Sequence, residues 1–525
     1  MSSPTLIERT GRAAFWNAVL IPVQSLVGLA FVSLVAHRFG LYAGVYVTAM
    51  GVVATVVIFT GIGIPTSLTK FLPEIEMSAG APAVVVFLRR AAMIRMLLIT
   101  VVLVPLNLFA QPLAAALDMG SEGTFILRLA SVLIVARAVI ELVSRTLTAF
   151  FCQLQSNSLQ LLQGSLDFVL VGAVVIGGYQ IAGAFGMVAA SGVITAIIAL
   201  AVVRGMLRSL SVGKNGAAFA PADPEATRTA VDAERSRFAG FTVFTFLFEL
   251  SIYFSDKPFA VPALAIILGR DDVALFSYGY TLAFMSVALM VASFRGVYRP
   301  MFTHLRGRND PDQLRRAFAG VSKAQLVILV PAAVGLFIMA PDYILWLYGP
   351  AFAPAVPITQ TFVVLLYTQT AFNLGMIWLS IDERYRAVLW TQSILVIVAP
   401  FFLIVAGSGG LVAAAMLFGG ARAVVSVTGY LICRRDYGFR FPWRFAARIA
   451  VVAAAMGAVL IVARSFLEQS PLEAVGLTVL GAVMYLAGLR LARILGPEEI
   501  DLLERSAVPG RRLALAWLAP NTGRP

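Results

Sequence analysis

Apolar runs of about 18 residues or more recur from one end of the chain to the other, and no feature constrains the fold more strongly. A run of this length crosses the hydrocarbon core of a bilayer as one helix, because a helix satisfies its own backbone hydrogen bonds there. Only 13% of the residues are charged, whereas soluble domains carry about a quarter. The sequence therefore predicts an all-α, polytopic membrane protein.

About fourteen transmembrane spans are predicted from these runs. The turn between the fifth and sixth spans rests on Gly177 and Gly178, in the stretch VVIGGYQIAGAFG. The predicted spans are 13–36, 41–65, 88–112, 124–147, 158–180, 181–203, 238–268, 273–294, 320–340, 355–380, 388–406, 409–432, 445–463 and 473–494.

Basic residues alternate between the links that join these spans. With the N-terminus in the cytoplasm, the even-to-odd links should be the basic ones. They contain Arg89 and Arg90, and later the stretch CRRDYGFRFPWR, whereas the opposite links QPLAAALDMGSEG and GSGG contain no Lys or Arg. Most of the 40 basic residues thus fall on the cytoplasmic side, and both termini are predicted to be cytoplasmic. The net charge of +13 is then a topology signal, and we expect no nucleic-acid partner.

The sequence shows no motif for a metal site or for nucleotide binding, and no clear cleavable signal peptide. Cys152 and Cys433 are too far apart for a metal motif, so we expect no metal site. There is no Walker A motif, and direct use of ATP is not expected. Arg9 and Arg12 precede a full-length apolar span without a clear cleavage site, which argues against a cleavable signal peptide. We expect no cofactor; the coupling ion, where the cycle uses one, would be H⁺ or Na⁺.

Two pairs of similar segments indicate that spans one to six and seven to twelve are a duplication. LYAGVYVTAM opens span two and DVALFSYGYT opens span eight, while NSLQLLQ enters span five and RAVLWTQ enters span eleven, with an offset of about 230 residues in both cases. Six spans return the chain to the same side, so the repeats would be parallel. The predicted domains are an N-terminal lobe at 1–203, a cytoplasmic linker at 204–237, a C-terminal lobe at 238–432, and two further spans with a cytoplasmic tail at 433–525.

A series of segments in fixed order adds a family resemblance. It includes GIGIPTSLTKFLPE closing span two, DKPFAVPALAIILGRDDVALFSYGY across spans seven and eight, PDYILWLYGPAFAPAVPI between spans nine and ten, and LSIDERYRAVLW after span ten. In these landmarks the chain resembles the oligosaccharide-lipid flippases of bacterial polysaccharide biosynthesis. That family belongs to the multidrug/oligosaccharidyl-lipid/polysaccharide exporter superfamily. The resemblance covers nearly the whole chain, including the two extra C-terminal spans.

The resemblance implies two six-helix lobes around a central cavity that opens alternately to each side, plus two C-terminal helices. The cargo would be an oligosaccharide repeat unit on a polyprenyl pyrophosphate, flipped across the bacterial cytoplasmic (inner) membrane for capsule, exopolysaccharide or O-antigen synthesis. A polysaccharide polymerase and a chain-length regulator would be partners. The match to the peptidoglycan-precursor flippase is poorer, because the Arg-rich segment expected early in that relative is missing.

Span seven carries charges beside prolines. Glu249 and Asp256 are seven residues apart and would share one helical face, with Lys257 at their flank. Pro258 removes a backbone donor, so the helix should kink or open next to these charges. We predict that Lys257 lines the cavity, and that Asp256 and Glu249 are candidates for the coupling ion. Alternatively, Asp256 and Lys257 mark the outer interface, or form an ion pair with a facing helix that only fixes packing.

Other charges also fall near mid-depth. Span four carries Arg137, Glu141 and Arg145 at i+4 spacing, which predicts either an intrahelical ion-pair ladder or a cavity-facing Arg137. Arg422 in span twelve has no acid one turn away, and it is our first candidate for an anion contact. Asp167 in span five is a further coupling-ion candidate, or a structural partner of Arg422. Arg128 lies near the outer end of span four.

Further polar residues complete the predicted site. Amides that share helical faces would bond sugar hydroxyls or the neighbouring helices; they are Asn17 and Gln24 in span one, and Gln369 and Asn373 in span ten. A basic cytoplasmic mouth, or ordinary positive-inside anchors, is predicted from Lys70, Arg295 and Arg299.

Three other functions are alternatives, and the sequence favours each of them less. A cation-coupled multidrug exporter of the same superfamily is disfavoured by the mid-depth arginines, which would repel cationic drugs. A membrane glycosyltransferase or polymerase would need a long extramembrane catalytic loop that the sequence lacks. A scaffold without transport leaves the buried charges unexplained. We therefore expect a transporter, not an enzyme.

Overall fold

The computed structural model describes residues 6–211, 235–308, 310–466 and 470–494. Most of the predicted linker at 204–237 and the tail beyond residue 494 lie outside the described residues. Within these residues the regular elements are all helices, and none is a strand. The protein is an all-α polytopic membrane protein, as predicted.

In the described residues, nine α-helices precede residue 270, and seven begin at or after it. The first nine are α1 (Leu6–Phe39), α2 (Ala43–Gly61), α3 (Ile64–Leu108), α4 (Ala110–Ala116), α5 (Gly123–Ala149), α6 (Gln153–Ile176), α7 (Ile181–Ser211), α8 (Arg235–Tyr253) and α9 (Lys257–Ile267). The others are α10 (Arg270–Arg308), α11 (Pro311–Tyr348), α12 (Ala355–Phe372), α13 (Leu374–Ile381), α14 (Tyr385–Tyr437), α15 (Trp443–Arg464) and α16 (Pro471–Leu491).

Each predicted span coincides with helix in the described residues. Ten helical stretches there are long and apolar enough to cross a membrane, and the bent pair α8–α9 makes an eleventh. Two of these stretches, Val19–Gly61 and Tyr385–Tyr437, each overlap two predicted spans. Helix α5, which carries the charges of span four, lies outside this apolar set.

Glycines produce two sharp breaks in the long helices. Gly80 divides α3 (φ 76°, ψ 179°), and Gly410 divides α14 (φ 75°, ψ −177°). Both glycines have a positive φ, which residues with a Cβ atom rarely adopt. Glycine therefore allows the chain to turn within one helical stretch. The Gly410 break falls in the predicted link GSGG between spans eleven and twelve. The Gly80 break separates a helical segment at 64–79 from predicted span three. The sequence analysis did not predict this segment.

Internal contacts divide the chain into two compact units, Met1–Ser277 and Tyr278–Pro525. Helices α8 and α9 belong to the first unit, where they pack on α2 and α3. The hydroxyl of Thr55 donates to the carbonyl of Pro258 at 2.8 Å across the α2–α9 contact. The predicted domains instead group residues 238–277 with the C-terminal lobe, and those boundaries stay a prediction.

Helix α5 is the centre of the first unit, since it packs against α2, α3, α6 and α7. The apolar cluster at one end of α3 includes Leu68, Phe71 and Phe87, and Leu142 of α5 joins it. Burial of such side chains stabilises each by about 2 kcal/mol relative to water, although lipid replaces water where a helix faces the bilayer. Arg137 and Glu141 of α5 are therefore half-buried among helices of their own unit.

In the second unit the C-terminal helices α15 and α16 pack on α11. Their apolar cluster includes Met339, Met456 and Leu477. The hydroxyl of Tyr485 donates to the carbonyl of Val327 at 2.7 Å, which adds a polar tie between α16 and α11. The two extra predicted spans are thus an integral part of the second unit.

Candidate functional site

The charged break in span seven is a helix start. Helix α8 ends at Tyr253 and α9 begins at Lys257, with an angle of 46° between their axes. Asp256 is the N-cap of α9, and its carboxylate accepts from the backbone N–H of Lys257 at 2.8 Å. Pro258 occupies the first turn, where its missing N–H removes no helical hydrogen bond. The predicted kink beside the charges is confirmed, and the D-K-P sequence has a local structural role.

Glu249 lies on α8, before the break. Its carboxylate accepts from the hydroxyl of Thr66 on α3 at 2.6 Å. Because the helix stops between Glu249 and Asp256, their spacing of seven residues no longer gives them a common helical face. This part of the prediction is wrong, since it assumed an unbroken helix. Arg95, Glu141 and Arg145 lie near enough to Glu249 to act on its charge.

A short ion pair in the first unit involves a residue that the sequence analysis missed. Nη2 of Arg95 on α3 lies 2.5 Å from the carboxylate of Glu141 on α5. The Arg95 side chain is 0% exposed and that of Glu141 is 35% exposed. Among the described residues, Nε and Nη1 of Arg95 have no hydrogen-bond acceptor. Arg95 falls within predicted span three, where insertion of a charge is costly, and this position was its sequence signal.

Arg137 makes its contacts with α6. Its Nη2 lies 3.8 Å from the carboxylate of Asp167, and Asp167 also accepts from the hydroxyl of Ser191 on α7. With the Gln163 amide oriented so that its oxygen faces Arg137, that oxygen accepts from both Nε and Nη2 at 3.1 Å. Two of the three charges of the supposed α5 ladder therefore pair with other helices, so the intrahelical interpretation is wrong for Arg137 and Glu141. Asp167, one suggested partner of Arg422, is engaged by Arg137 and Ser191.

The predicted amides of span one bind a neighbouring helix. The Asn157 side chain on α6 donates to the side-chain oxygen of Asn17 at 2.6 Å. The Gln24 amide donates to the backbone carbonyl of Asn157 at 2.7 Å. These contacts join α1 to α6 and favour the packing alternative for Asn17 and Gln24.

Arg422 is the centre of a polar cluster in the second unit. It lies on α14, about 18 Å along the helix from the Gly410 break. Its Nε donates to the side-chain oxygen of Gln369 on α12 at 3.1 Å, and its Nη1 donates to the hydroxyl of Tyr280 on α10 at 2.9 Å. Tyr280 is buried, and its ring stacks on Phe284 with 5.5 Å between centroids. Two uncharged acceptors from two other helices thus orient this guanidinium, and the structure brings predicted Gln369 and Arg422 together.

The remaining predicted residues lie apart from these clusters. Asn373 is at the junction of α12 and α13, and Lys257 is in the first turn of α9. Lys70 is exposed and its ammonium lies 4.6 Å from the ring centroid of Phe241. The side chains of Arg295 and Arg299 lie outside the described residues. No group of three or more His, Cys, Asp or Glu among the described residues could hold a metal ion.

Comparisons with known proteins give the fold. No protein-family model and no curated protein sequence matches the chain. Among solved structures, the lipid II flippase MurJ in an inward closed conformation matches with a TM-score of 0.70 at 12% identity, covering 90% of this chain and 98% of that one. An inward-facing multidrug resistance MATE family transporter of the MOP superfamily matches with a TM-score of 0.59 at 15% identity, covering 81% of this chain and 98% of that one. These neighbours are transporters, and the chain shares their fold.

Proposed function

We propose that the protein flips polyprenyl-pyrophosphate-linked oligosaccharides across the bacterial cytoplasmic membrane by alternating access. The observation that carries this proposal is the placement of Arg422, half-buried in a membrane-spanning helix and oriented by Gln369 and Tyr280. A charge at this depth costs about 3 kcal/mol to insert, so its retention in an apolar helix favours a functional role.

The substrate class follows from the chemistry of the guanidinium. A pyrophosphate carries several negative charges on oxygens that match the planar, forked donors of arginine. The hydrogen bonds from Arg422 to Gln369 and Tyr280 orient the guanidinium, and an oriented cation suits an anionic headgroup. Gln369 has an amide nitrogen that could donate to a sugar hydroxyl while its oxygen holds Arg422. The prenyl tail would stay in the surrounding lipid during the flip.

A coupled ion would supply the driving force, and Glu249 is our first candidate for its ligand. Its carboxylate has one hydrogen bond, from Thr66, and it lies near the Arg95–Glu141 pair. Asp256 is occupied as a helix cap, and Asp167 is engaged by Arg137 and Ser191. Protonation of Glu249, or Na⁺ binding to it, would change the charge balance of this cluster. Each charge that crosses the membrane field contributes about 2.3 kcal/mol per 100 mV.

The biological setting that we propose is surface polysaccharide synthesis, with both termini in the cytoplasm and with a polymerase and a chain-length regulator as partners. The fold similarity to the lipid II flippase supports a lipid-linked substrate, at 12% identity. The repeat-unit substrate is favoured by the ordered sequence landmarks that the chain shares with the polysaccharide flippases.

The test is translocation in proteoliposomes that contain a fluorescent polyprenyl-pyrophosphate oligosaccharide. A membrane-impermeant quencher reports how fast the inner-leaflet lipid reaches the outer leaflet. We expect the protein to accelerate this exchange over protein-free vesicles, and Arg422→Gln to slow it at equal protein content. Exchange no faster than in protein-free vesicles contradicts the proposal.

Two further arms separate the alternatives. In one, the labelled substrate is lipid II, the molecule named for the structural neighbour. In the other, the vesicles contain a cationic drug and an imposed proton or sodium gradient. If lipid II moves faster than the labelled oligosaccharide lipid, the substrate would be lipid II and not the oligosaccharide repeat unit. Drug export without lipid movement would support a multidrug exporter.

A further inference from the structure

A groove on the first unit lies between α3 and α5, outside the charged clusters described above. Its volume is about 550 Å³, and it is lined by Thr100, Leu103, Val104, Asn107, Leu108 and Arg128. We call it the α3–α5 groove. From Thr100 to Leu108 it follows α3 for about 12 Å, which is close to the hydrocarbon depth of one leaflet.

Arg128 differs from the other arginines at helix ends that the topology places on the non-cytoplasmic side. Arg38 donates to the carbonyl of Gly178 at 3.4 Å, Arg270 lies 3.7 Å from Asp271, and Arg464 lies 2.8 Å from Asp342. Arg128 is exposed, and in the described part of the chain it has no hydrogen-bond or ion-pair partner. The nearby acid Glu122 is used elsewhere, because it accepts from the backbone N–H of Ala182.

The other polar groups of the groove are already engaged. The Asn107 amide donates to the carbonyl of Leu103 at 2.9 Å and to the hydroxyl of Ser131 at 2.8 Å. The Thr100 hydroxyl donates to the carbonyl of Met96 at 2.9 Å. Arg128 therefore remains as the donor that can bind a ligand. The rest of the surface is hydrocarbon, with Val104 55% exposed and Leu108 74% exposed.

We propose that the α3–α5 groove binds one membrane phospholipid with a singly charged anionic headgroup, its phosphate on Arg128 and an acyl chain along Leu103 and Val104. The groove offers one cation above an apolar slot, which complements an amphiphile with one negative charge. A pyrophosphate lipid carries more charge, and no second cation lines the groove among the described residues. Phosphatidylglycerol has the matching chemistry. This site does not depend on what the protein transports.

The experiment measures lipid binding to the purified full-length protein in a non-ionic detergent, by native mass spectrometry over a phosphatidylglycerol titration. We expect Arg128→Gln to weaken the tightest phosphatidylglycerol binding about fivefold, the effect of losing a partly exposed ion pair. Arg128→Lys should keep the affinity within about twofold, because the charge remains. The matched control is Arg38→Gln, which removes an arginine that lies on the same predicted side of the membrane and already has a partner, and should leave binding unchanged.

A second variant tests the apolar part of the site. Val104→Trp fills the slot without changing the charge, and should also weaken phosphatidylglycerol binding. Wild-type affinity in both Arg128→Gln and Val104→Trp would overturn the proposal. So would Arg128-dependent binding of farnesyl pyrophosphate that is tighter than that of phosphatidylglycerol, since the occupant would then be a pyrophosphate lipid.

Discussion

The two units hold their mid-helix arginines in different ways. In the first unit, Arg95 and Arg137 each lie against a carboxylate from another helix of the same unit, Glu141 and Asp167. In the second unit, Arg422 donates to an amide oxygen and a phenol hydroxyl. A carboxylate neutralises a guanidinium and fixes two helices together, whereas an uncharged acceptor only orients it.

We propose that this difference separates structural from functional charge. The pairs of the first unit explain how charged side chains are tolerated within α3, α5 and α6, since each charge is compensated where it lies. The described cluster around Arg422 orients a cation by the dipoles of Gln369 and Tyr280. We therefore expect substitutions in the first unit to reduce stability first, and substitution of Arg422 to reduce substrate binding first.

The largest expected effect is on the Arg95–Glu141 pair. Glu141→Leu leaves the fully buried Arg95 guanidinium without its carboxylate, and should lower the free energy of unfolding by about 3–5 kcal/mol. The double variant Arg95→Leu/Glu141→Leu removes both charges and should recover most of this loss. Unfolding of the purified protein in detergent measures both. A double variant no more stable than Glu141→Leu would contradict the compensated-pair interpretation.

The Arg137–Asp167 pair should show a smaller effect of the same kind. Asp167→Leu removes the acceptor of Arg137 and of Ser191, and should lower the free energy of unfolding by about 2 kcal/mol. The Arg137 side chain is 34% exposed, so it can regain part of its solvation. The same unfolding assay applies, and Asp118→Leu is the control for loss of an acid with a looser, 3.2 Å contact. An equal loss of stability in both variants would contradict a particular contribution of Asp167 through Arg137 and Ser191.

Arg422→Gln should be milder still for stability, at about 1 kcal/mol, because its described partners Gln369 and Tyr280 are uncharged. Oligosaccharide flipping in proteoliposomes should nevertheless fall to about a tenth, the effect of 1.4 kcal/mol of lost interaction. A large loss of stability with intact transport would show that Arg422 stabilises helix packing, as the paired arginines of the first unit do, and does not bind substrate.

The smallest expected effect is at the N-cap of α9. Asp256→Asn keeps a side-chain acceptor for the backbone, so the free energy of unfolding should change by no more than about 0.5 kcal/mol, whereas Asp256→Ala should cost about 1 kcal/mol. Transport by Asp256→Asn should be retained, while Glu249→Gln should lose its dependence on the ion gradient. Abolished transport in the stable Asn variant would show that the Asp256 charge itself is needed.

The helices were predictable because each follows from a long apolar run, and even the Gly410 break was marked by the GSGG stretch. The polar contacts between helices were harder to predict from the sequence. The i+4 spacing of Arg137, Glu141 and Arg145 pointed to local pairing, but the partners come from α3 and α6, which sequence spacing cannot reveal. Arg95 was missed because it follows the basic pair Arg89 and Arg90 and resembles another cytoplasmic anchor. The capping role of Asp256 could have been found, since an acid shortly before a proline is a common helix start.

The most direct test of the account is the affinity of the purified protein for a polyprenyl pyrophosphate, compared between Arg422→Gln and Arg137→Gln. Arg422→Gln should raise the Kd about tenfold, and Arg137→Gln should leave it within about twofold, because only the first removes a cation that contacts the headgroup. An unchanged Kd in Arg422→Gln, or an equal rise in both variants, would contradict the claim that the second unit holds the anion contact.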